Sequence, residues 1–222
     1  RQLLSLEYSE EKWAKAAAAA RDVMELGVYE LYTAPFSTTN NGPHDRPTIV
    51  PPADPAFSDQ DWPNGWRNID PFKSYRDLFD GSVSPVGNPE LIFSRVHNTN
   101  QVAQMVEGQM PRDFGGWNTH GLTQKMVDAY YMNDGTDTPG RDKEIGRGDG
   151  SNRVTGFTTQ EDVDAGRYAP LSANVSLQYA NREPRFYASV AYNGAIWHYL
   201  NRPETNEHHR QTFYYRGSGN GF

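Results

Sequence analysis

Trp62 and Trp66 bracket Pro63-Asn64-Gly65, and Arg67 and Asn68 follow directly. Indole rings stack on the C–H faces of sugars, while amide and guanidinium groups hydrogen-bond to hydroxyls. Trp62, Asn64, Trp66, Arg67 and Asn68 thus have the composition of a shallow ligand platform. The competing use of two such tryptophans is to pin a long loop onto the body. Trp117, with Asn118 and His120 close by, is a second candidate, and core packing is its competing role.

Other chemistries find less support. His208 and His209 beside Glu207 lack the i, i+4 spacing of a helical zinc site, and no H-E-x-x-H occurs, so they read as surface histidines. Gly146-Arg147-Gly148-Asp149-Gly150 fits neither phosphate-loop pattern and reads as a solvated turn, its Arg-Gly-Asp tripeptide a coincidence. Asp134, Asp137, Asp142, Glu144 and Asp149 are candidate calcium ligands without EF-hand spacing. No G-x-S-x-G elbow is present. Among 28 acidic residues a carboxylate pair for glycoside hydrolysis is not recognisable without a fold to place it. The sequence therefore assigns no catalytic residue, no metal ligand and no cofactor, calcium being the one ion with candidate ligands.

Composition narrows the class. The chain has 222 residues and a net charge of -7, and no basic run could neutralise phosphates, so no nucleic-acid partner is expected. Apolar residues make up 36% and aromatics 13%, with 20 Gly and 15 Pro. That describes a loop-rich protein whose core rests on Tyr, Phe and Trp. Zero Cys removes disulfides, thiolate metal sites and a Cys nucleophile. No apolar run approaches the ~20 residues that span a bilayer.

The elements that must position these residues follow from local signals. Residues 9–26 predict a helix: Ser9 caps it, Glu10 and Glu11 sit in the first turn, and Gly27 sits where a helix ends. Trp13, Ala16, Ala17, Ala20, Val23 and Met24 form one stripe, an Ala-rich face suited to helix-pair repeats. Residues 33–69 show no period and are dense in Pro, Asn, Asp and Gly; so long a loop is usually functional or disordered. Residues 72–79 predict a short amphipathic helix, 89–96 a buried extended segment, and 99–108 a helix. Thr123 and Gln124 start a helix reaching Tyr131, with Met126, Val127 and Tyr130 inward and Asp134-Gly135 as its turn exit. Residues 136–150 should form a polar surface loop. Pro184 should stop any upstream helix, residues 186–193 predict a strand, and Asn193-Gly194 closes it with a turn.

Four blocks carry a resemblance. "N-R-E-P-R-F-Y-A-S-V-A-Y-N-G-A-I-W" resembles the R-D-P-R-F-Y-x-T/S-I/V-x-Y-N-G-x-x-W signature of the SusD/RagB family, with Glu183 in the usual Asp position. Trp13, Lys15, Ala16, Ala17, Gly27, Tyr29, Leu31 and Tyr32 fit the family's Ala-rich helix and its G-x-Y-x-L-Y exit. Tyr75, Leu78, Phe79, Glu90, Ile92 and Phe93 match a Y-x-x-L-F … E-x-I-F block. "T-Q-K-M-V-D-A-Y-Y-M-N-D-G" is similar to T-Q-E-L-V-D-A-Y-E-M-K-D-G. The blocks stand in family order across most of the chain.

The resemblance implies a mainly α fold, in which tetratricopeptide-like helices support an irregular, loop-rich half containing short β-strands. Residues 1–32 would be a helix of one repeat and 33–222 the irregular part, within one structural domain. Residues 33–71 would be a ligand-binding insertion, since the family has a short connection there. Trp13 and Trp197 fall in scaffold blocks and are expected in the core. The resemblance further implies a non-enzymatic, surface-exposed lipoprotein of the outer membrane. It would bind oligo- or polysaccharide and deliver it to a SusC-like TonB-dependent transporter. A carbohydrate-active enzyme such as a glycoside hydrolase, or a SusD-like protein with peptide cargo, are the alternatives. The chain starts at Arg1 and lacks the family's lipidated Cys and its C-terminal R-x-A-E helix. It is therefore expected to be a piece of a longer protein, with its anchor and further helices elsewhere.

Overall fold

The computed structural model describes residues 7–38, 44, 46–94, 99–137, 154–198 and 209–221. Among these residues helices and irregular connections dominate, with one two-stranded sheet, so the expected mainly α, loop-rich class holds. The helices are α1 (Glu10–Glu25), α2 (Pro55–Ser58), α3 (Pro71–Arg76), α4 (Thr99–Gln109), α5 (Gln124–Asp128), α6 (Gln160–Asp164) and α7 (Pro184–Ser189). The strands are β1 (Ile196–His198) and β2 (His209–Gln211), antiparallel, with Trp197 opposite Arg210.

Capping chemistry sets most helix starts. The Ser9 hydroxyl accepts the Lys12 N–H, and Gly27 leaves α1 at φ 63°. The Asp70 carboxylate accepts the N–H groups of Phe72 and Lys73, both at 3.0 Å, behind Pro71 at the first position of α3. Thr159 and Asp162 form a reciprocal capping box at α6. The helix expected at residues 99–108 is α4, which runs one residue further.

The core gathers around α7. Phe186 and Val175 are fully buried, and Val127, Leu171, Ala180, Val190, Tyr192 and Ala195 join them. Tyr130, Tyr168, Tyr179 and Tyr187 pack against this cluster. Phe186 stacks on Tyr192 at 5.8 Å and meets Tyr187 edge-on at 5.1 Å. Arg182 is 1% exposed and binds the block together. Its Nη2 donates to the carbonyls of Val127 (2.6 Å) and Tyr130 (2.9 Å), its Nη1 to that of Gln178 (3.3 Å), and its guanidinium lies 4.8 Å from the Phe186 ring centroid.

Several expectations are corrected. Residues 184–189 are a helix, not the start of a strand. Pro184 pre-sets the first helical φ, where its missing N–H costs nothing, and Val190 N–H closes the turn on Phe186 O at 2.9 Å. Burial of Phe186 among the tyrosines outweighs the β-preference of the sequence. The Asn193-Gly194 turn is present, with Gly194 at φ 89°, and a Cβ there would lie 2.6 Å from Val175 Cγ2.

Residues 89–94 are not buried: Phe93 is 82% exposed, because no strand pairs with this apolar run among the described residues. Its anchors are Glu30 N–H to Pro89 O and Tyr32 N–H to the Glu90 carboxylate. Met126 is half exposed because α5 turns Val127 and Asp128 inward instead. Trp13 is 64% exposed on α1, none of whose residues is buried, and Trp197 is half-buried against Phe114, outside the main cluster.

Burial suppresses the ionisation of the core tyrosines. The Tyr187 hydroxyl donates to Tyr179 O at 2.6 Å, and desolvation pushes both Tyr187 and Tyr192 far above the ordinary 10.0. For Tyr192 the neighbouring Tyr187 and Tyr179 add to the effect. Groups whose folded-state value is raised contribute stability that is complete below the unfolded value and lost as pH rises through and beyond it. The urea midpoint is therefore expected to hold up to about pH 9 and to fall steeply by about pH 11. An unchanged midpoint across that interval would contradict the burial of these hydroxyls.

Candidate functional site

The long segment read as a loop is organised by short-range hydrogen bonds. After α2, Asn64 and Gly65 N–H both return to Asp61 O (3.0 and 2.9 Å), and Arg67 N–H returns to Gln60 O at 3.0 Å. Gly65 is required there, since a Cβ would lie 2.2 Å from the backbone oxygen of Phe57. The exit is fastened to the chain leaving α1: Ile69 bridges Pro35, and Asp70 N–H donates to Ala34 O at 2.9 Å.

This fastening opens a cleft of about 700 Å³ between the loop and the segment of α6 and its exit. Phe36, Arg46, Trp66 and Asp70 form one wall, and Asp164 and Ala169 belong to the other. Arg46 lies 5.7 Å from the Phe36 ring centroid, and its Nη1 donates to Ser37 O (3.1 Å) and to the Asp70 carboxylate (3.4 Å). The Trp66 indole is partly buried, and its Nε1 is closed off from solvent without an acceptor among the described residues.

The structure divides the predicted platform. Trp66 lines the cleft, whereas Trp62, 36% exposed, is not among its lining residues. Asn68 and Arg67 hold the loop in shape: Asn68 Oδ1 accepts Trp62 N–H at 2.8 Å, and Arg67 Nε donates to Asp61 at 2.9 Å. Asn64 faces solvent. Trp117 lines a separate cleft of about 470 Å³ beside α4, with Gln104, Met105 and His120.

Sequence reasoning missed Phe36, Arg46, Asp70 and Asp164. Phe36 and Arg46 stood in the same Pro-rich stretch but had no period to single them out. Asp164 comes from far along the chain, and only the fold brings it near.

Of the calcium candidates, Asp142, Glu144 and Asp149 lie outside the described residues, as do the 146–150 turn and His208. Asp134 is engaged by Thr136, whose N–H and hydroxyl donate to it at 3.0 and 2.7 Å and hold its carboxyl below the usual range. Of the two carboxylates lining the Trp66 cleft, Asp70 is committed to the α3 cap and to Arg46. What the arrangement offers is aromatic surface, guanidinium donors and one solvent-facing carboxylate.

Fold and cleft together define a mainly α, loop-rich protein with an aromatic-walled cleft. The chain belongs to the SusD family, whose family model (SusD_RagB) matches residues 89–221. Members of this family bind glycans and serve nutrient uptake, in general without catalysis. No curated protein and no solved structure matches the chain. The matched span contains Asp164 and Ala169, while Phe36, Arg46 and Trp66 precede it.

Proposed function

We propose that this protein captures oligo- or polysaccharide at the cell surface and passes it to a SusC-like TonB-dependent transporter in the outer membrane. No bond of the glycan is made or broken. The observation that carries the reading is the cleft in which Trp66 and Phe36 supply ring surface and Arg46 supplies donors. Stacking plus a few directed hydrogen bonds is the usual basis of weak, reversible sugar capture. Family membership supports the glycan cargo, the transporter partner and peripheral attachment to the outer membrane through a lipid anchor.

Residues 33–71 act in this reading as the ligand-binding insertion of a single domain, and residues 1–32 contribute a helix of a tetratricopeptide-like repeat. The described residues hold no helix long and apolar enough to cross a membrane. The test is affinity-gel electrophoresis across a polysaccharide panel, with the same mixtures assayed for released sugars. Retardation by at least one glycan without product is expected. Product release would make the protein a glycoside hydrolase, and retention of peptides with no glycan would make the cargo peptide.

A further inference from the structure

We infer that the Trp66 cleft selects neutral sugars and discriminates against glycans carrying carboxylate or sulfate groups; this rests on the cleft being the glycan site. Among the described residues three charged side chains line it, Arg46, Asp70 and Asp164. The one cation is already matched: Asp70 is 2% exposed and stands 3.4 Å from Arg46 Nη1. Asp164 faces solvent, and its only neighbouring donor among the described residues is the neutral Gln160 amide at 2.9 Å. Arg167, the next cation along the chain, is drawn off to Glu161 and Asp162 at 3.0 and 3.1 Å. The described residues of the lining thus carry a net negative charge within a chain of net charge -7.

Arg46 nevertheless remains useful to a ligand. Nη1 makes its hydrogen bonds to Ser37 O and Asp70, leaving Nε and Nη2 as donors without acceptors among the described residues. The Phe36 ring and the Asp70 carboxylate fix the guanidinium plane. A planar donor group whose charge is compensated suits the oxygens of adjacent hydroxyls. An anionic sugar finds the same donors, but it gains no uncompensated cation and must approach Asp164. Like charges placed together are the means by which a site rejects the wrong ligand.

The probes are maltohexaose, cellohexaose and xylohexaose as neutral glycans and hexagalacturonate as the acidic one, measured by calorimetry at low salt. At least one neutral probe is expected to bind about tenfold or more tightly than hexagalacturonate. Asp70→Asn keeps an acceptor for the α3 cap but leaves Arg46 uncompensated, so it should narrow the gap about tenfold. Asp164→Asn, at an exposed position, should narrow it as well and serves if the Asp70 variant fails to fold. Hexagalacturonate binding as tightly as the neutral probes would overturn the selectivity while leaving glycan capture intact. So would a gap that neither variant changes. A panel in which no probe binds the folded protein would remove the glycan reading and this inference together.

Discussion

Trp66→Ala is expected to weaken glycan binding at least ~30-fold, whereas Trp62→Ala should change it by no more than about twofold. A tryptophan that supplies ring surface to a ligand typically carries ~2 kcal/mol or more, and ~1.4 kcal/mol is tenfold in affinity. Trp66 lines the 700 Å³ cleft together with Phe36 and Arg46, and Trp62 does not. Trp62 hangs instead on its backbone N–H bond to Asn68, 2.8 Å long, so its loss is a matter for the loop. Calorimetry with the tightest-binding glycan of the panel decides the point. A larger loss at Trp62 would move the platform to the outer face of the loop, and equal losses would mean that the loop closes over its ligand.

The second large effect is one of stability. Arg182→Lys is expected to cost roughly 3 kcal/mol or more, although the substitution keeps the charge. The planar guanidinium reaches three carbonyls at once, those of Val127, Tyr130 and Gln178, and so ties α5 and its exit to the turn before α7. An ammonium cannot span that fork, and each buried acceptor left unsatisfied costs ~1–3 kcal/mol. Arg182→Met should be at least as damaging. Urea denaturation gives the cost, and glycan affinity of the folded fraction should stay unchanged, because Arg182 is not among the residues lining the cleft. An undiminished urea midpoint would mean that the three carbonyls find other partners.

What could be read in advance was what the chain encodes locally. Ser9 with Glu10 and Glu11, Thr123 before Gln124, and Asn193 before Gly194 announce their structures within a few residues, and each is in place. The α7 segment was misread because two local signals conflict there. Its aromatic and β-branched composition favours a strand, while Pro184 at the first position favours a helix, and the tertiary environment of Phe186 decides. Trp66 could be singled out by residue type alone. Its partner Arg46 could not, since the ion pair to Asp70 spans 24 residues without a period. Asp164, almost a hundred residues downstream of Trp66, could not either, because the sequence holds no trace of that juxtaposition.

The tryptophans stand apart from the core cluster, and their placement has an optical consequence. The aromatic rings in and against the core cluster are those of tyrosine and phenylalanine, while Trp13, Trp62, Trp66, Trp117 and Trp197 all lie outside it. Indole emission therefore reports on the periphery and on the cleft, and the near-ultraviolet dichroism of the tyrosines reports on the packed interior. Indole emission follows the cleft, and tyrosine dichroism follows the packing around Phe186. One titration of the unmodified protein can record both without an introduced label.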